Sequence, residues 1–526
     1  MGYRPTKADS DLWIIKRGEG SSAWYEYLAT YVDDVLVFSR TPMDIINELQ
    51  KDYILKGVGN PRYYLGGDIL TLSDEWQEQP QPIDLALSAE TYIANVVEKY
   101  ERQFEQTFRL YRSPMDHGYH SEEEQTKELN GVQASIYRGL IGSANWVVTL
   151  GRFDIAYAVN NLARFCMAPR QGHFEAAIRI FGYLKANPCG RLLIDGSPHL
   201  QSDVEFVDHD WGEFYPDAEE ELPPDMPEPI GHVFPTTCYV DADHAHDTVT
   251  RRSVTGVLLF LGSMPVKWYS KRQKTVETSS YGSELVASRI AVELVQELRY
   301  KLRMLGVPLS GPTIMYGDNM SVILNTTVSS SQLKKKHNAI AYHRVREAIA
   351  ANMIRFAHIR SETNIADILT KPLPVDGFEK LIQPILFRPT PVDDVTTVLL
   401  TPTEPSPTPV LTSGEVPPHN TELLLDPTVS TPVPLRVQGE VIEGIVTVED
   451  VTSIVDTSTH QNDTTHQNDT TRTDKDPLHT STHQNILDTT DDNPTLDHNE
   501  TSTHENNTHL NFINTITTLT TYHKKN

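Results

Sequence analysis

The sequence predicts an α/β protein with two compact units, an acidic segment between them and a low-complexity tail. Strand-like and helix-like apolar patterns alternate in residues 1–200 and again in 231–380. Residues 201–229 hold 11 acidic residues and no Lys or Arg. From about residue 390 the composition changes to Pro, Thr, Ser, Asn, His and Asp, which is typical of disorder. At 526 residues, the chain is long enough for two or three domains with separate cores.

The first unit is predicted to be mixed α/β and then helical. Its apolar spacing indicates a hairpin around 25–38, a helix over 44–51, a strand at 65–69 and a helix at about 88–101. An exposed loop rich in Glu, Gln and Pro is expected at 74–82. Residues 133–187 are predicted to be predominantly helical, because their apolar residues recur at helical spacing.

Two adjacent acids lie at the turn of the predicted hairpin, in Tyr31-Val32-Asp33-Asp34. Adjacent like charges between apolar runs repel each other and are costly to desolvate. A divalent cation would remove that penalty, so Asp33 and Asp34 are candidate metal ligands. The alternative is a surface Asp-Asp turn.

The second unit is predicted to be a mixed sheet with helices. The predicted strands cover 237–240, 254–261, 266–269, 313–316 and 353–359. The predicted helices cover 281–305 and 337–351, and a short helix begins at Asn364.

Four acids of this unit lie where a predicted strand ends or a helix begins. They are Asp241, Glu284, Asp318 and Asp367. Each has a plain alternative role as a cap, a helix N-terminal acid or a loop residue. Together they could converge on one sheet edge, where the cluster would be unstable unless cations neutralised it. Two Mg²⁺ ions about 3.5–4 Å apart would do so and would promote phosphodiester cleavage, and Mn²⁺ is an alternative ion.

The formal charge of -26 hides a basic region, because residues 231–380 carry 19 Lys or Arg against 13 Asp or Glu. A basic helical face around His343 and Arg346, and a second basic group after Trp268, are suited to the phosphates of a nucleic acid. The alternative for the helical face is simple solvation. The candidate nucleic-acid-binding residues are Lys334, Lys335, Lys336, Arg344, Lys271 and Arg272.

The cysteine spacing and the hydropathy of the sequence indicate in which kind of cellular compartment the protein is expected. Cys166, Cys189 and Cys238 have no paired or zinc-like spacing, which favours a reducing environment. No apolar run approaches the roughly 20 residues that a membrane span needs. We therefore expect an intracellular protein, in cytoplasm or nucleus, with no membrane partner.

The ordered motifs of residues 1–377 resemble the C-terminal part of a copia-type LTR retrotransposon polyprotein, which is reverse transcriptase followed by ribonuclease H. The first unit contributes Tyr31–Asp34, Tyr64-Leu-Gly66, Tyr137–Gly142 and Arg152–Val159. The second contributes Asp241-Ala-Asp243, Thr250–Gly256, Lys267–Gln273, Ser279–Glu284, Gly317-Asp-Asn319 and Ala366–Leu373. In the family, Trp often follows the second acid, whereas this chain has His244.

The resemblance implies a division into five regions. These are a partial reverse-transcriptase palm in 1–115, a helical thumb or connection in 116–200, an acidic linker or loop in 201–230, a ribonuclease H-like domain in 231–380 and a disordered tail in 381–526. It also implies that Asp33 and Asp34 are palm carboxylates. Asp241, Glu284, Asp318 and Asp367 would be the metal ligands of the ribonuclease H site.

The expected activity is metal-dependent hydrolysis of the RNA strand of an RNA/DNA hybrid. A third palm carboxylate and the fingers would lie upstream of Tyr31, so we expect this chain alone to lack polymerase activity unless an upstream polyprotein segment supplies them. Two other functions stay open: a catalytically silent retroelement remnant, and a protein that binds nucleic acid without cutting it. The sequence leaves the oligomeric state open.

Overall fold

The computed structural model describes residues 1–32, 34–71, 85–197, 206, 209–333 and 335–388. The predicted loop at 74–82 and most of the predicted tail therefore lie outside the described residues. Within them, the strands form three sheets and the helices pack around these sheets, which confirms the mixed α/β class. No helix in this part of the chain has the length and hydropathy of a membrane span.

The first sheet is antiparallel throughout and contains the predicted hairpin. Its strands, in order, are β1 (Arg4–Pro5), β2 (Leu12–Arg17), β3 (Trp24–Tyr31) and β4 (Asp34–Phe38). Tyr31 pairs with Asp34, and Val32 lies in the turn that follows β3. The helix predicted at 44–51 is α1 (Pro42–Leu49), which begins earlier because Pro42 is well suited to the first helical turn.

The second sheet crosses the predicted boundary at 115/116. Its strands are β5 (Tyr63–Tyr64), β6 (Gly67–Thr71), β7 (Leu85–Ser88) and β8 (Arg191–Leu193), all antiparallel to their neighbours. β8 joins β7 although about a hundred residues separate them in the chain. The regions 1–115 and 116–200 therefore share one sheet.

The helices of the first unit pack against one another, and the first of them also contacts β6. They are α2 (Glu90–Phe104), α3 (Gly131–Thr149), α4 (Ala156–Ala163) and α5 (Gln171–Ala186). Asn130 caps α3, since its side chain accepts a hydrogen bond from the backbone N–H of Gln133. A buried ion pair precedes α4: Arg152 and Asp154 lie 2.7 Å apart, and both side chains are almost fully buried. The predominantly helical character expected over 133–187 is therefore present.

The third sheet has five strands and mixed direction. Its strand order is β11 (Met264–Arg272), β10 (Val254–Leu261), β9 (Thr236–Asp243), β12 (Thr313–Gly317) and β13 (Ile354–His358). β9, β10 and β11 are antiparallel, whereas β12 runs parallel to β9 and to β13. Every residue of β10 is buried, because this strand lies between two others and is covered on its faces.

The helices of the second unit are α6 (Ser280–Met304), α7 (Met320–Thr327), α8 (Ala339–Ala350) and α9 (Val375–Leu386). α6 packs across β9 and β10 with a buried apolar face that includes Leu285, Val292 and Leu302. Ser279 caps this helix by accepting a hydrogen bond from the N–H of Gly282.

The predicted boundary between the second unit and the tail, at 380/381, falls inside α9 and is therefore too early. Phe378, Ile382, Ile385 and Leu386 are buried and recur at helical spacing, so this helix continues past residue 380. Residues 389–526, to which the prediction of a disordered tail now applies, lie outside the described residues.

Residues 209–221 of the predicted acidic linker form a packed segment, which we call the strap. Glu220 of the strap binds both Arg299 and Arg303 of α6, with its Oε1 2.6 Å from Nε of Arg299. Trp211 and Tyr215 lie against the guanidinium of Arg346 in α8, 4.8 and 5.7 Å from the ring centroids. Glu220 of the strap is therefore paired with two arginines of α6, and aromatic side chains of the strap cover a third arginine, whereas a free linker would make none of these contacts.

Candidate metal centre

Three carboxylates from three elements meet at the middle of the five-stranded sheet. Asp241 lies on β9, Asp318 follows β12 directly, and Glu284 is the fifth residue of α6, just beyond the first turn expected for it. Since β9 and β12 are adjacent and parallel, their side chains reach the same edge. A ligand oxygen of each of the three residues lies within 4.8 Å of the others.

Two of the three acids are buried, whereas Asp318 is half-buried. Asp241 is 3% exposed and Glu284 is 9% exposed. Burial, and then the negative charges of Asp241 and Asp318, raises the pKa of Glu284 well above its ordinary value. Such a cluster is costly without a positive charge, which is the electrostatic property expected of a cation site.

Asp367 lies beside this trio, in a short 3₁₀ helix over Ile365–Leu369. Asn364 anchors the helix: its Nδ2 donates to the carbonyl of Val240 at 3.0 Å, and its Oδ1 accepts from the N–H of Ala366 at 3.2 Å. Burial, followed by the charge of Asp241, raises the pKa of Asp367 to about 8. The structure therefore brings the fourth predicted acid next to Asp241, outside the trio itself.

Two neighbouring residues also enter the site, although the sequence analysis assigned them no role. The hydroxyl of Thr370 donates to Oδ2 of Asp241 at 2.6 Å. Nζ of Lys371 lies 2.8 Å from Oδ1 of Asp367 and 3.8 Å from Oδ2 of Asp241. The available signal was the spacing of four residues between Asp367 and Lys371, which lets the two side chains meet across one helical turn.

A polar network ties the strand that carries Asp241 to the helical region of the first unit. Nδ1 of His246 lies 2.5 Å from Oδ2 of Asp243, and its Nε2 lies 2.6 Å from the hydroxyl of Tyr157 in α4. Asn161 of α4 donates to the same hydroxyl at 2.8 Å. Sequence analysis missed this contact because its partners are about ninety residues apart.

A second set of contacts also joins the loop after β9 to the helical region of the first unit. We call this junction, between residues 243–248 and the helical region, the seam. Asp247 has a fully buried side chain that binds Arg164 and Arg272, each at 2.5 Å. The carboxylate of Glu122 accepts from the N–H of Thr248 at 2.9 Å. The loop after β9 is thus held from the side of the helical region.

The one predicted palm acid that the structure describes, Asp34, lies in a different sheet from the trio. Asp34 is exposed at the start of β4, and Asp33 lies outside the described residues. Burial, and then the charges of Asp34, Asp9 and Asp11, raises the pKa of Tyr64. Among the described residues, one group of three Asp, Glu, His or Cys side chains is close enough to share a metal ion, and it consists of Asp241, Glu284 and Asp318.

The predicted nucleic-acid-binding residues differ in their availability. Lys336 and Lys271 are exposed, and Lys271 lies over the ring of Tyr269. Lys335 donates to Oγ of Ser279 at 2.8 Å, at the beginning of α6. Lys334 lies outside the described residues. Lys336 and Lys271 are therefore the candidates whose positive charges face solvent.

The arginines of these groups are occupied by internal contacts. Arg344 binds Gln296 and approaches Glu347 at 4.0 Å, and Arg272 is committed to Asp247. Arg346, expected on the basic face of α8, is 2% exposed and donates to the carbonyls of Val328 and Ser329 at 2.8 and 2.6 Å. The expectation for Arg346 was wrong, because its guanidinium closes the loop after α7.

The donor set at the sheet fits a hard divalent cation. Carboxylate oxygens are the ligands that Mg²⁺ and Mn²⁺ prefer, and the trio offers them within reach of one another. Asp241, Glu284 and Asp318 could share an ion, with Asp367 adjacent to Asp241. The arrangement provides oxygen ligands from separate rigid elements, which fixes their relative positions.

Several retroelement proteins are similar to this chain. It is 26% identical over 391 residues to the retrovirus-related Pol polyprotein from transposon RE1 of Arabidopsis thaliana, covering 73% of this chain and 23% of that protein. It is 26% identical over 385 residues to the Pol polyprotein from transposon TNT 1-94 of Nicotiana tabacum, covering 72% and 25%. The chain therefore spans about a quarter of the length of these curated relatives. No protein-family model matches it.

Solved ribonucleases H also resemble part of the chain. The RNase H1 of the archaeon Halobacterium salinarum has 17% sequence identity and a TM-score of 0.21, covering 26% of this chain and 93% of that protein. LC11-RNase H1, solved in complex with an RNA/DNA hybrid, gives the same identity, TM-score and coverage.

The relatives confirm the resemblance inferred from the ordered sequence motifs, since the similarity covers 72–73% of this chain. Over about three quarters of its length, this chain is a homologue of the copia-type, retrovirus-related Pol polyproteins of transposons.

Proposed function

We propose that the unit built on the five-stranded sheet is a metal-dependent nuclease that hydrolyses the RNA strand of RNA/DNA hybrids. The observation that carries the proposal is the meeting of Asp241, Glu284 and Asp318 within 4.8 Å. Three acids from separate elements, with a fourth beside them, form a costly arrangement that a nuclease of the two-metal type would use. The motif resemblance to ribonuclease H supports the same function.

The proposed cofactor is Mg²⁺, with two ions at the site and Mn²⁺ as an alternative. When bound, these ions would activate the attacking water and stabilise the oxygen that leaves phosphorus. The trio and Asp367 supply the oxygen ligands. Thr370 orients Asp241 through its 2.6 Å hydrogen bond, and Asn364 fixes the loop that carries Asp367.

The proposed substrate is a hybrid duplex recognised by its shape and its 2′-hydroxyl groups rather than by base sequence. Lys336 and Lys271 face solvent and could contact phosphates. Lys335 donates to Ser279, the cap of the helix that carries Glu284. Positive charge near the acids would offset the repulsion between the site and the phosphate backbone.

The test uses the full chain with an end-labelled RNA/DNA hybrid, in EDTA and at increasing Mg²⁺. We expect metal-dependent cleavage of the RNA strand by the wild type and by Glu362→Gln, which removes an exposed acid from the same unit. Asp318→Asn should abolish cleavage while it leaves hybrid binding intact, because it removes a metal ligand and keeps the side-chain shape.

Other outcomes would contradict the proposal. Hybrid binding with steep salt dependence but no product in the wild type would indicate a nucleic-acid-binding protein. Neither binding nor cleavage would indicate a silent remnant. Equal cleavage by the wild type and Asp318→Asn would place the chemistry elsewhere.

A further inference from the structure

A lysine occupies the edge of the carboxylate pocket. Nζ of Lys371 lies 2.8 Å from Oδ1 of Asp367 and 3.8 Å from Oδ2 of Asp241. An ammonium group at these distances binds the same oxygens that a cation would use. The ammonium of Lys371 therefore lies at the side of the carboxylate group that is formed by β9 and the short 3₁₀ helix.

The charge of Lys371 acts on several acids at once. It opposes the burial and repulsion that raise the pKa values of Glu284 and Asp367. In return, the charges of Asp241, Asp367 and Asp243 outweigh the effect of burial and raise the pKa of Lys371 itself. At these distances from Asp367 and Asp241, the ammonium of Lys371 partly neutralises the carboxylates.

The backbone of Lys371 is anchored, whereas its side chain is not enclosed. The N–H of Thr370 donates to the carbonyl of Asp367 at 3.2 Å, and the carbonyl of Pro372 lies 3.0 Å from Nδ1 of His117. The Lys371 side chain remains 35% exposed. An anchored backbone with a partly exposed, flexible side chain allows the ammonium to leave the carboxylates without unfolding the site.

We infer that Lys371 is a built-in counter-ion, which holds the carboxylates together when metal is absent and competes with the metal for them. This inference rests on the proposed function, since it assumes that the pocket binds a divalent cation. Lys371 is a positioning residue here, because it acts on the ligands and not on the substrate. Loading with metal then requires its ammonium to move off Asp241 and Asp367.

The experiment measures Mg²⁺ affinity of the full chain without nucleic acid, by calorimetric titration at pH 9, where protons compete least for the carboxylates. Lys371→Gln should bind Mg²⁺ about tenfold more tightly than the wild type, because a positive charge next to the ligands is gone. Lys371→Arg keeps the charge and should bind like the wild type. Lys380→Gln removes an exposed lysine from α9 and is the matched control.

A second readout is the thermal midpoint in EDTA, which should fall for Lys371→Gln and recover when Mg²⁺ saturates the site. Wild-type binding with equal or weaker affinity in Lys371→Gln would overturn the counter-ion role and leave the proposed nuclease intact. If neither the wild type nor any variant binds Mg²⁺, the metal centre itself is wrong and the inference is overturned with it.

Discussion

Replacing Glu220 by Gln removes the charge that joins the strap to α6. The Glu220 side chain is 13% exposed, and its two oxygens accept four hydrogen bonds from the guanidinium groups of Arg299 and Arg303. Arg299 is 3% exposed, so the substitution would leave a buried positive charge without its carboxylate. A neutral amide could accept hydrogen bonds but could not replace the ion pairs.

The size of the effect follows from the pKa of Glu220. Burial alone would raise this pKa, but the hydrogen bonds and charges of Arg299 and Arg303 outweigh it and lower the pKa from 4.5 to about 2. Each pKa unit corresponds to about 1.4 kcal/mol, so the contacts stabilise the fold by about 3 kcal/mol at neutral pH. Loss of one partner of a buried ion pair costs about 3–5 kcal/mol in other proteins, which agrees.

The sign of the pH dependence is also determined. The pKa of Glu220 is lower in the folded state than in the unfolded state, so its contribution is complete above about pH 4.5 and is lost as the pH falls towards 2. Glu220→Gln should therefore be less stable than the wild type at pH 7, and this difference should shrink on acidification.

The assay is urea denaturation of the full chain at pH 7 and at several lower pH values. Glu219→Gln is the matched control, because Glu219 is the exposed neighbour and loses the same charge. If Glu220→Gln and Glu219→Gln unfold at the same urea concentration at pH 7, the strap contributes no such stability and the argument is refuted.

Three further substitutions test the interior. Asp154→Asn should destabilise the fold by about 3–5 kcal/mol in urea denaturation, because it leaves the buried Arg152 unpaired; an effect below about 1 kcal/mol would contradict this. Asn364→Ala should cost about 1–3 kcal/mol and slow hybrid cleavage, since the carbonyl of Val240 loses its donor; unchanged cleavage would argue against this anchor. Glu284→Gln should stabilise the protein in EDTA above about pH 4.5, because the raised pKa of Glu284 means that the folded wild type loses stability as this carboxyl ionises at rising pH. The substitution should also abolish the stabilisation of the protein by Mg²⁺. Persistence of the Mg²⁺ effect would remove Glu284 from the metal centre.

Local patterns predicted much of the fold. The strand at 254–261 has the predicted bounds, and the helix α6 begins and ends within one residue of its prediction. Both have long, regular apolar patterns that local reading detects. The β7–β8 pair was missed because its partners are far apart in the chain, and four-residue or three-residue strands carry little periodic signal.

The candidate site was predicted in its acids and missed in its surroundings. The sequence predicted Asp241, Glu284 and Asp318 at element boundaries, and the fold places them together. In the structure β9 continues past Asp241 to Asp243, and Glu284 lies just beyond the first turn of α6. The contacts of Thr370 and Lys371 with Asp241 join residues about 130 positions apart, which sequence spacing does not reveal, whereas spacing does indicate the contact of Lys371 with Asp367. The region that contains the strap was predicted to be an acidic linker or loop, because the arginines that bind Glu220 follow about eighty residues later.

The seam has a consequence for how the chain is made. Ribosomes release the helical region first, so Arg164 and Glu122 emerge before Asp247 and Thr248, the partners that complete their contacts. Until those partners are synthesised, part of the first unit's surface stays exposed to water and to chaperones. A nascent chain that stalls before Asp247 should therefore be more sensitive to cellular proteases than the finished protein.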